Sequence, residues 1–334
     1  MVYLLLAVLG LLWGLSFLGT KVALEMLAPI EVLAVRWLIA LLMYLLLIIF
    51  KIVSVDYRGK PVRYLIIAAA LQPCIYALLE TWGVKLTTAS ESSIFIAVIP
   101  IMVVVEGWLF LKKKVSRKVV FAIFLSFIGV LTCIVFAPDF STGSKFLGYF
   151  VLLATVVSGA AYTLFSNRIS RFFSPVEITF ALAIGGAIFF NLLSLAGGNG
   201  FHPYRILFSG GETTAALLYL GIGCSCVAYL IFNYSLSRLT AAVAATIQTN
   251  SITVVGVVAG ILIGKESWGW YTVIGLVLTI TGICISSLAG KGTEGNKRGE
   301  SLTGAGKLPN LKEKRGEDGQ EKLSSEGFEE KRRI

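Results

Sequence analysis

Gln72, Tyr76 and Glu80 stand four residues apart, so on a helix they make one polar stripe able to hydrogen-bond and to carry a charge. A shift of 153 positions lays them on Ser225, Tyr229 and Asn233, which are also polar. At a shift of 146, Ser16 and Thr20 correspond to Tyr162 and Ser166, and the segment after Ala241 adds Thr246, Gln248, Thr249, Asn250 and Thr253. A single hydroxyl of this kind often bonds its own helix backbone or a neighbouring helix, but paired stripes point to the lining of an internal cavity. In "LLETWGVKLTTASESSIFIAVIP" (78–100), Glu80 and Glu91 are the candidates to bind a proton or a substrate's positive charge. Glu91, beside Lys85, reads equally as an interfacial anchor or salt-bridge partner. Arg36 either snorkels outward or meets an anionic substrate or a helix end, and Glu106 reads as a partner of Lys112 and Lys113. His202 is the sole histidine, and Cys224 and Cys226, two residues apart, point to different sides of a helix, so no metal site or acid–base pair is expected. Nothing resembles a nucleotide-binding loop, and no cofactor is expected.

The elements that position these residues are set by composition. With 56% hydrophobic residues, 14% charged residues and a mean hydropathy of +0.83, the chain lies far from soluble domains. Runs long enough to cross a hydrocarbon core of about 30 Å cover 2–22, 30–50, 64–84, 89–111, 118–138, 146–166, 176–196, 213–235, 241–263 and 270–290. They are continuous rather than alternating, which favours helices over a barrel. The first lacks a basic leader and is too long for a signal core, so it counts as a membrane helix. The expectation is an all-α integral membrane protein with ten transmembrane helices.

Charge fixes orientation. Alternate loops carry twelve Lys/Arg (Lys51, Arg58, Lys60, Arg63, Lys112, Lys113, Lys114, Arg117, Lys118, Arg168, Arg171 and Arg238) against five (Lys21, Lys85, Lys145, Arg205 and Lys265). The richer set belongs in the cytoplasm, which puts both termini there and predicts a multi-pass protein of the plasma membrane. The tail 291–334 holds 11 basic and 9 acidic residues with few apolar ones, so it reads as a disordered cytoplasmic polyampholyte. Its near balance, and the loop origin of the +10 net charge, argue for a lipid partner and against nucleic acid.

The chain also repeats itself. The 153-residue shift aligns 76–134 with 229–287 without a gap, with 14 of 59 positions identical, including Thr87/Thr240, Gly107/Gly260, Lys112/Lys265 and Gly129/Gly282. "APIEVL" (28–33) pairs with "SPVEIT" (174–179) at the shift of 146. Two repeats, 1–138 and 145–290, then hold five helices each, and an odd number turns the second copy upside down. Inverted repeats of this kind build carriers that expose one midplane site to either side in turn. Glu80 falls opposite Asn233, so charge breaks the symmetry there. An intramembrane enzyme or an uncoupled channel-like facilitator are the alternatives, and the first lacks a reactive constellation.

"LWGLSFLGTKVAL", "VRWLIALLM", the stretch from "LLETWGVKL" to "EGWLFLKKKV", and "GILIGKESWGWYTVIGLVLTITGICI" resemble the two EamA-type repeats of the drug/metabolite transporter superfamily, over about residues 3–290. That resemblance implies a ten-helix carrier, in many members an exporter, for amino acids, other metabolites or drugs. It implies a small-molecule substrate and a central cavity lined by helices one, three, four, six, eight and nine. The family's Trp-Gly pair is Trp13 and Gly14 here, which adds Trp13 to the candidate lining. The acid that closes the fourth helix of a repeat is Glu266, whereas the first repeat has Lys113 at that place. Oligomeric state is not legible.

Overall fold

The computed structural model describes residues 2–112, 117–136, 143–198 and 200–285, and among them every regular element is helical. The helices are α1 (Val2–Met26), α2 (Pro29–Ile49), α3 (Arg63–Leu86), α4 (Ala89–Phe110) and α5 (Arg117–Val135). After them come α6 (Gly143–Ile169), α7 (Pro175–Ala196), α8 (Gly211–Arg238), α9 (Ala241–Leu262) and α10 (Trp270–Ile285). A short helix, His202–Leu207, lies between α7 and α8. Eight of them, α1–α4 and α6–α9, are long and apolar enough to cross a membrane, while the apolar parts of α5 and α10 are shorter, Val120–Cys133 and Trp270–Ile285. The charged tail 291–334 lies outside the described residues.

Local sequence explains the ends. α2 and α7 both open on proline, whose missing N–H costs nothing at a first turn. Glu31 accepts from the Ala28 N–H at 2.7 Å, and Glu177 accepts from the Ser174 N–H at 2.9 Å, the same device at the 146-residue shift. α4 opens on a reciprocal Thr88–Glu91 box. Lys112 and Lys265, paired at the 153-residue shift, both adopt left-handed backbone, with φ of 50° and 51°.

Two features depart from regular helices. α3 widens into a π-helix over Ala70–Ala77, around Pro73, and α8 does so over Tyr219–Ala228. These overlapping stretches of the two aligned helices border the polar stripes, where π-turns often mark functional sites. α4 breaks at Ala97–Val98, just before Pro100.

Each of three helices packs antiparallel against its counterpart in the other half. Trp37 of α2 meets Gly186 of α7 while Asn191 Nδ2 donates to the Ala34 carbonyl. Ser93 and Ser90 of α4 meet Gly256 and Gly260 of α9. On α5, Ser126 donates to the Thr279 carbonyl of α10 at 3.1 Å, Gly129 meets Gly275, and Cys133 reaches the Tyr271 carbonyl. Outward-facing Phe121, Phe124, Leu192, Val258 and Trp270 are exposed, as side chains facing lipid would be.

Small residues bring α1 and α9 together in parallel, Gly10 against Ser251 and Gly14 against Val255. A Cβ at Gly14 would fall 2.5 Å from Val255 Cβ and 3.0 Å from the Ile252 carbonyl oxygen. Gly14→Val should therefore push α1 off α9 and destabilise the fold by about 1–3 kcal/mol. A lower melting temperature of the purified protein is the check, and an unchanged one would refute the contact.

Candidate functional site

Seven helices converge on a small internal cavity of about 30 Å³, room for a couple of water molecules. α1 supplies Trp13, Ser16 and Phe17; α2 supplies Arg36; α3 supplies Gln72, Tyr76 and Glu80. Ile96 and Ile99 come from α4, Gly159, Tyr162 and Thr163 from α6, Tyr229 and Phe232 from α8, and Ala245, Gln248 and Ile252 from α9. The lining is thus an aromatic and aliphatic shell with a few polar groups, as in small-molecule sites generally.

Those polar groups are held in place by one another. The Trp13 ring packs edge-on to Tyr229, centroids 4.8 Å apart, and its Nε1 donates to the Cys224 carbonyl at 3.2 Å. Gln72 Nε2 donates to the Tyr229 hydroxyl, and Tyr76 donates to Glu80 Oε1 at 3.0 Å. Ser16 donates back to the Trp13 carbonyl. Gln248 Oε1 is buried without a partner, an acceptor left for a ligand.

Arg36 is 3% exposed and turned inward, which settles its two readings against outward snorkelling. The cause is packing: Gly221 of α8 lets Ile39 and the Arg36 backbone approach, and one turn on Ser225 Oγ accepts from Arg36 Nε at 2.6 Å. Its terminal nitrogens make no hydrogen bond to another described residue. Arg36 and Glu80 border the same space, yet no ion pair joins them.

The remaining predicted residues lie elsewhere. Ser225 holds Arg36 from behind. Asn233 Oδ1 accepts from Tyr162 at 2.8 Å and from Ser166 at 2.7 Å, while its Nδ2 donates to Thr179, a buried network in the wall between α6, α7 and α8. Thr20 is buried but outside the lining. Asn250 faces away from the cavity toward Cys284 of α10. Glu91 caps α4, accepts from Tyr149 at 2.9 Å and lies 3.8 Å from Lys145. Among the polar lining residues, Arg36 and Thr163 are the two that sequence reasoning did not single out as site residues, and it singled out none of the aliphatic or phenylalanine lining.

Polar clasps close both ends of the bundle. Where α1 ends, Lys21 donates to the Thr87 carbonyl and Glu266 accepts from the Ala89 and Ser90 N–H groups at 2.6 and 2.9 Å, tying the α9–α10 connection to the start of α4. His202 lies 3.1 Å from Glu31 at this end. At the other end Glu177 accepts from Lys60 at 2.7 Å and from the Asp56 N–H at 3.1 Å, and the Tyr57 hydroxyl donates to the Glu177 carbonyl. Burial, and then the nearby Glu177 carboxylate, push the Tyr57 phenol above its usual range, so it stays a donor.

The EamA-like transporter family model matches residues 1–135 and 146–288. The chain belongs to the EamA-like transporter family. It is similar to the uncharacterized transporter YcxC of Bacillus subtilis (strain 168), 29% identical over 280 residues that cover 82% of this chain and 89% of that one. An uncharacterized transporter of Archaeoglobus fulgidus is 24% identical over 286 residues, 85% of this chain and 97% of the relative. A solved crystal structure at 17% identity superposes with a TM-score of 0.66 over 88% of this chain and 98% of its own, which supports the fold. This EamA-like chain is a multi-pass membrane transporter that works in a lipid bilayer on a small-molecule substrate.

Proposed function

We propose that this EamA-like protein is a secondary carrier that exports small amino-bearing carboxylates, amino acids foremost, by alternating access. The observation that carries the reading is a guanidinium and a carboxylate, Arg36 and Glu80, on one small cavity without being paired to each other. A zwitterion supplies the missing partner of each: its carboxylate takes the free end of Arg36 and its ammonium takes Glu80. Gln248 and Gln72 add neutral polar contacts, and Trp13, Tyr76 and Tyr229 offer ring faces to an apolar side chain.

Two repeats, 1–138 and 145–290, supply the movement in this proposal, ten crossings with the second five inverted. The antiparallel pairing of α2 with α7, α4 with α9 and α5 with α10 supports it, because a two-fold axis in the membrane plane runs each helix antiparallel to its counterpart and brings those beside the axis together. So do the matched π-helices and left-handed lysines. Loop charge supports cytoplasmic termini in the plasma membrane, and outward transport rests on the resemblance to exporters. A cavity of about 30 Å³ is below the 300 Å³ or so of ordinary ligand sites, which favours a closed stage of a carrier over an open channel.

The test is flux of labelled amino acids and cationic drugs in proteoliposomes of the full chain. Saturable counterflow of a zwitterion is expected, and a chemically altered solute without vectorial flux would overturn the reading in favour of an enzyme. If Glu80 also couples transport to protons, Glu80→Gln should abolish the pH dependence of flux, and an unchanged dependence rules that coupling out. Cysteines replacing Arg58 and Arg171 should react with an impermeant maleimide from the same side; reaction from opposite sides would break the proposed topology.

A further inference from the structure

Glu106 lies off the cavity yet on the face that leads from it. Past the break in α4 it follows Ile99 and Val103 at spacings of four and three, so the three share one side of the helix. Ile96 and Ile99 line the cavity and Val103 is buried in the same core. At 1.5 Å per residue, Glu106 sits about 10 Å beyond Ile99, toward the end of the bundle bearing Lys112. Glu80 lies on the opposite side of the cavity floor, toward the Leu86 end of α3.

Among the described residues the carboxylate is unmatched there. Glu106 is 5% exposed and its Oε1 has no hydrogen-bond partner. It makes no ion pair with a described residue: of the two partners expected from sequence, Lys112 sits past the helix end and is exposed, and Lys113 lies outside the described residues. The antiparallel register set by Ser93 against Gly256 brings the first turn of α9 level with Glu106, where Ala241, Ala244 and Ala245 are buried and uncharged. From α6, running parallel, Thr163 donates to the Gly159 carbonyl and Ser166 to Asn233, so neither hydroxyl serves Glu106. On the half of these neighbours toward the Lys112 end, the titratable groups are Tyr162, bonded to Asn233, the exposed Arg168 of α6, and Arg117 and Lys118 of α5. Packing alone does not ask for an acid, because the counterpart of Glu106 at the 153-residue shift is Ala259, also buried.

We infer that Glu106 is a cation-accepting station between the cavity and the Lys112 face, taking a proton or the ammonium group of the transported molecule. A carboxylate oxygen buried without donors is costly inside a membrane protein, and a cation arriving along the path relieves that cost. With Glu80 on the other side of the cavity, the path then holds two carboxylates in series. This rests on the carrier reading, and its test does not need flux.

Dicyclohexylcarbodiimide attacks protonated carboxyl groups in apolar surroundings, and the full chain in lipid nanodiscs should form its adduct at Glu106, read by mass spectrometry. Benzylammonium suppressing the adduct at least fivefold assigns the ammonium; suppression by raised pH with no amine effect assigns the proton. No adduct at any pH, or an adduct indifferent to both, overturns the station. Glu106→Gln should lose that adduct, and in proteoliposomes should lower flux about tenfold, with Glu106→Asp retaining most of it. A Gln variant that transports like wild type overturns the inference, whereas labelling without any wild-type flux strikes the carrier reading alone.

Discussion

Arg36→Gln should lower the flux of a labelled zwitterionic amino acid by roughly 30- to 150-fold. The figure follows from losing charge-assisted hydrogen bonds to the substrate carboxylate, about 2–3 kcal/mol, at a factor of ten per 1.4 kcal/mol. The guanidinium is well placed to make them: Ser225 fixes Nε, and the terminal nitrogens bond no other described residue. Arg36→Lys keeps the charge but loses the planar fork and the grip on Ser225, so an intermediate loss of about tenfold is expected. The diagnostic readout is selectivity. An amine of the same side chain without a carboxylate should pass through the Gln variant at least as well as through wild type, because it never used Arg36. Glu80→Gln should do the reverse, sparing a carboxylic acid that lacks the amine. If both variants lose both probes equally, the two residues hold the fold and do not divide the substrate between them.

The difference between Arg36 and its neighbours also marks how far the sequence could be read. Helix positions follow from hydropathy alone, since a run of some twenty apolar residues has few other options. The N-terminal boxes at Thr88 and Ser174 are equally local, each a hydroxyl residue three positions before a glutamate. Rotation of a helix about its axis is not local. Whether Arg36 faces lipid or cavity depends on Gly221 of α8, 185 residues away, admitting α2 closely. Gln248 and Asn250 are two residues apart and so about 160° apart around α9; both were candidates, and only packing decides that Gln248 meets the cavity and Asn250 meets Cys284. The stripe Ser225, Tyr229, Asn233 leaves the π-stretch at Ala228 and drifts by about 40° over the α-helical step to Asn233, which helps to explain why its middle member lines the cavity while its ends bond Arg36 and the Tyr162 network. The π-stretch of α3 has a visible cause in Pro73, whereas that of α8 has no proline and no signal we could have read.

Lys60→Met and Glu31→Gln should bias the carrier in opposite directions. Glu31 and Glu177 are counterparts at the 146-residue shift, each at the start of the second helix of its half. Each reaches across to the connection between the second and third helices of the other half, Glu31 to His202 and Glu177 to Lys60. They are counterpart clasps at the two ends of the bundle, alongside Lys21 and Glu266 at the Glu31 end, and the proposed alternating cycle must release the two ends in turn. They are unequal. The two carboxylates are equally buried, but Glu177 gathers Lys60, the Asp56 N–H and the Ser174 N–H where Glu31 has only the Ala28 N–H and His202, and Lys60 is 31% exposed against 53% for His202. An exposed pair is worth about 0–1 kcal/mol, up to roughly fivefold in population, and a mostly buried, multiply bonded one roughly tenfold or more. With Ser16→Cys as the reporter in a chain freed of its five cysteines, Lys60→Met should raise impermeant-maleimide labelling from the Lys60 side about tenfold. Glu31→Gln should raise it from the opposite side, by less. Labelling that rises from the same side in both variants would mean that the two clasps are not opposing gates, and the cycle would need another device to keep one end shut while the other opens.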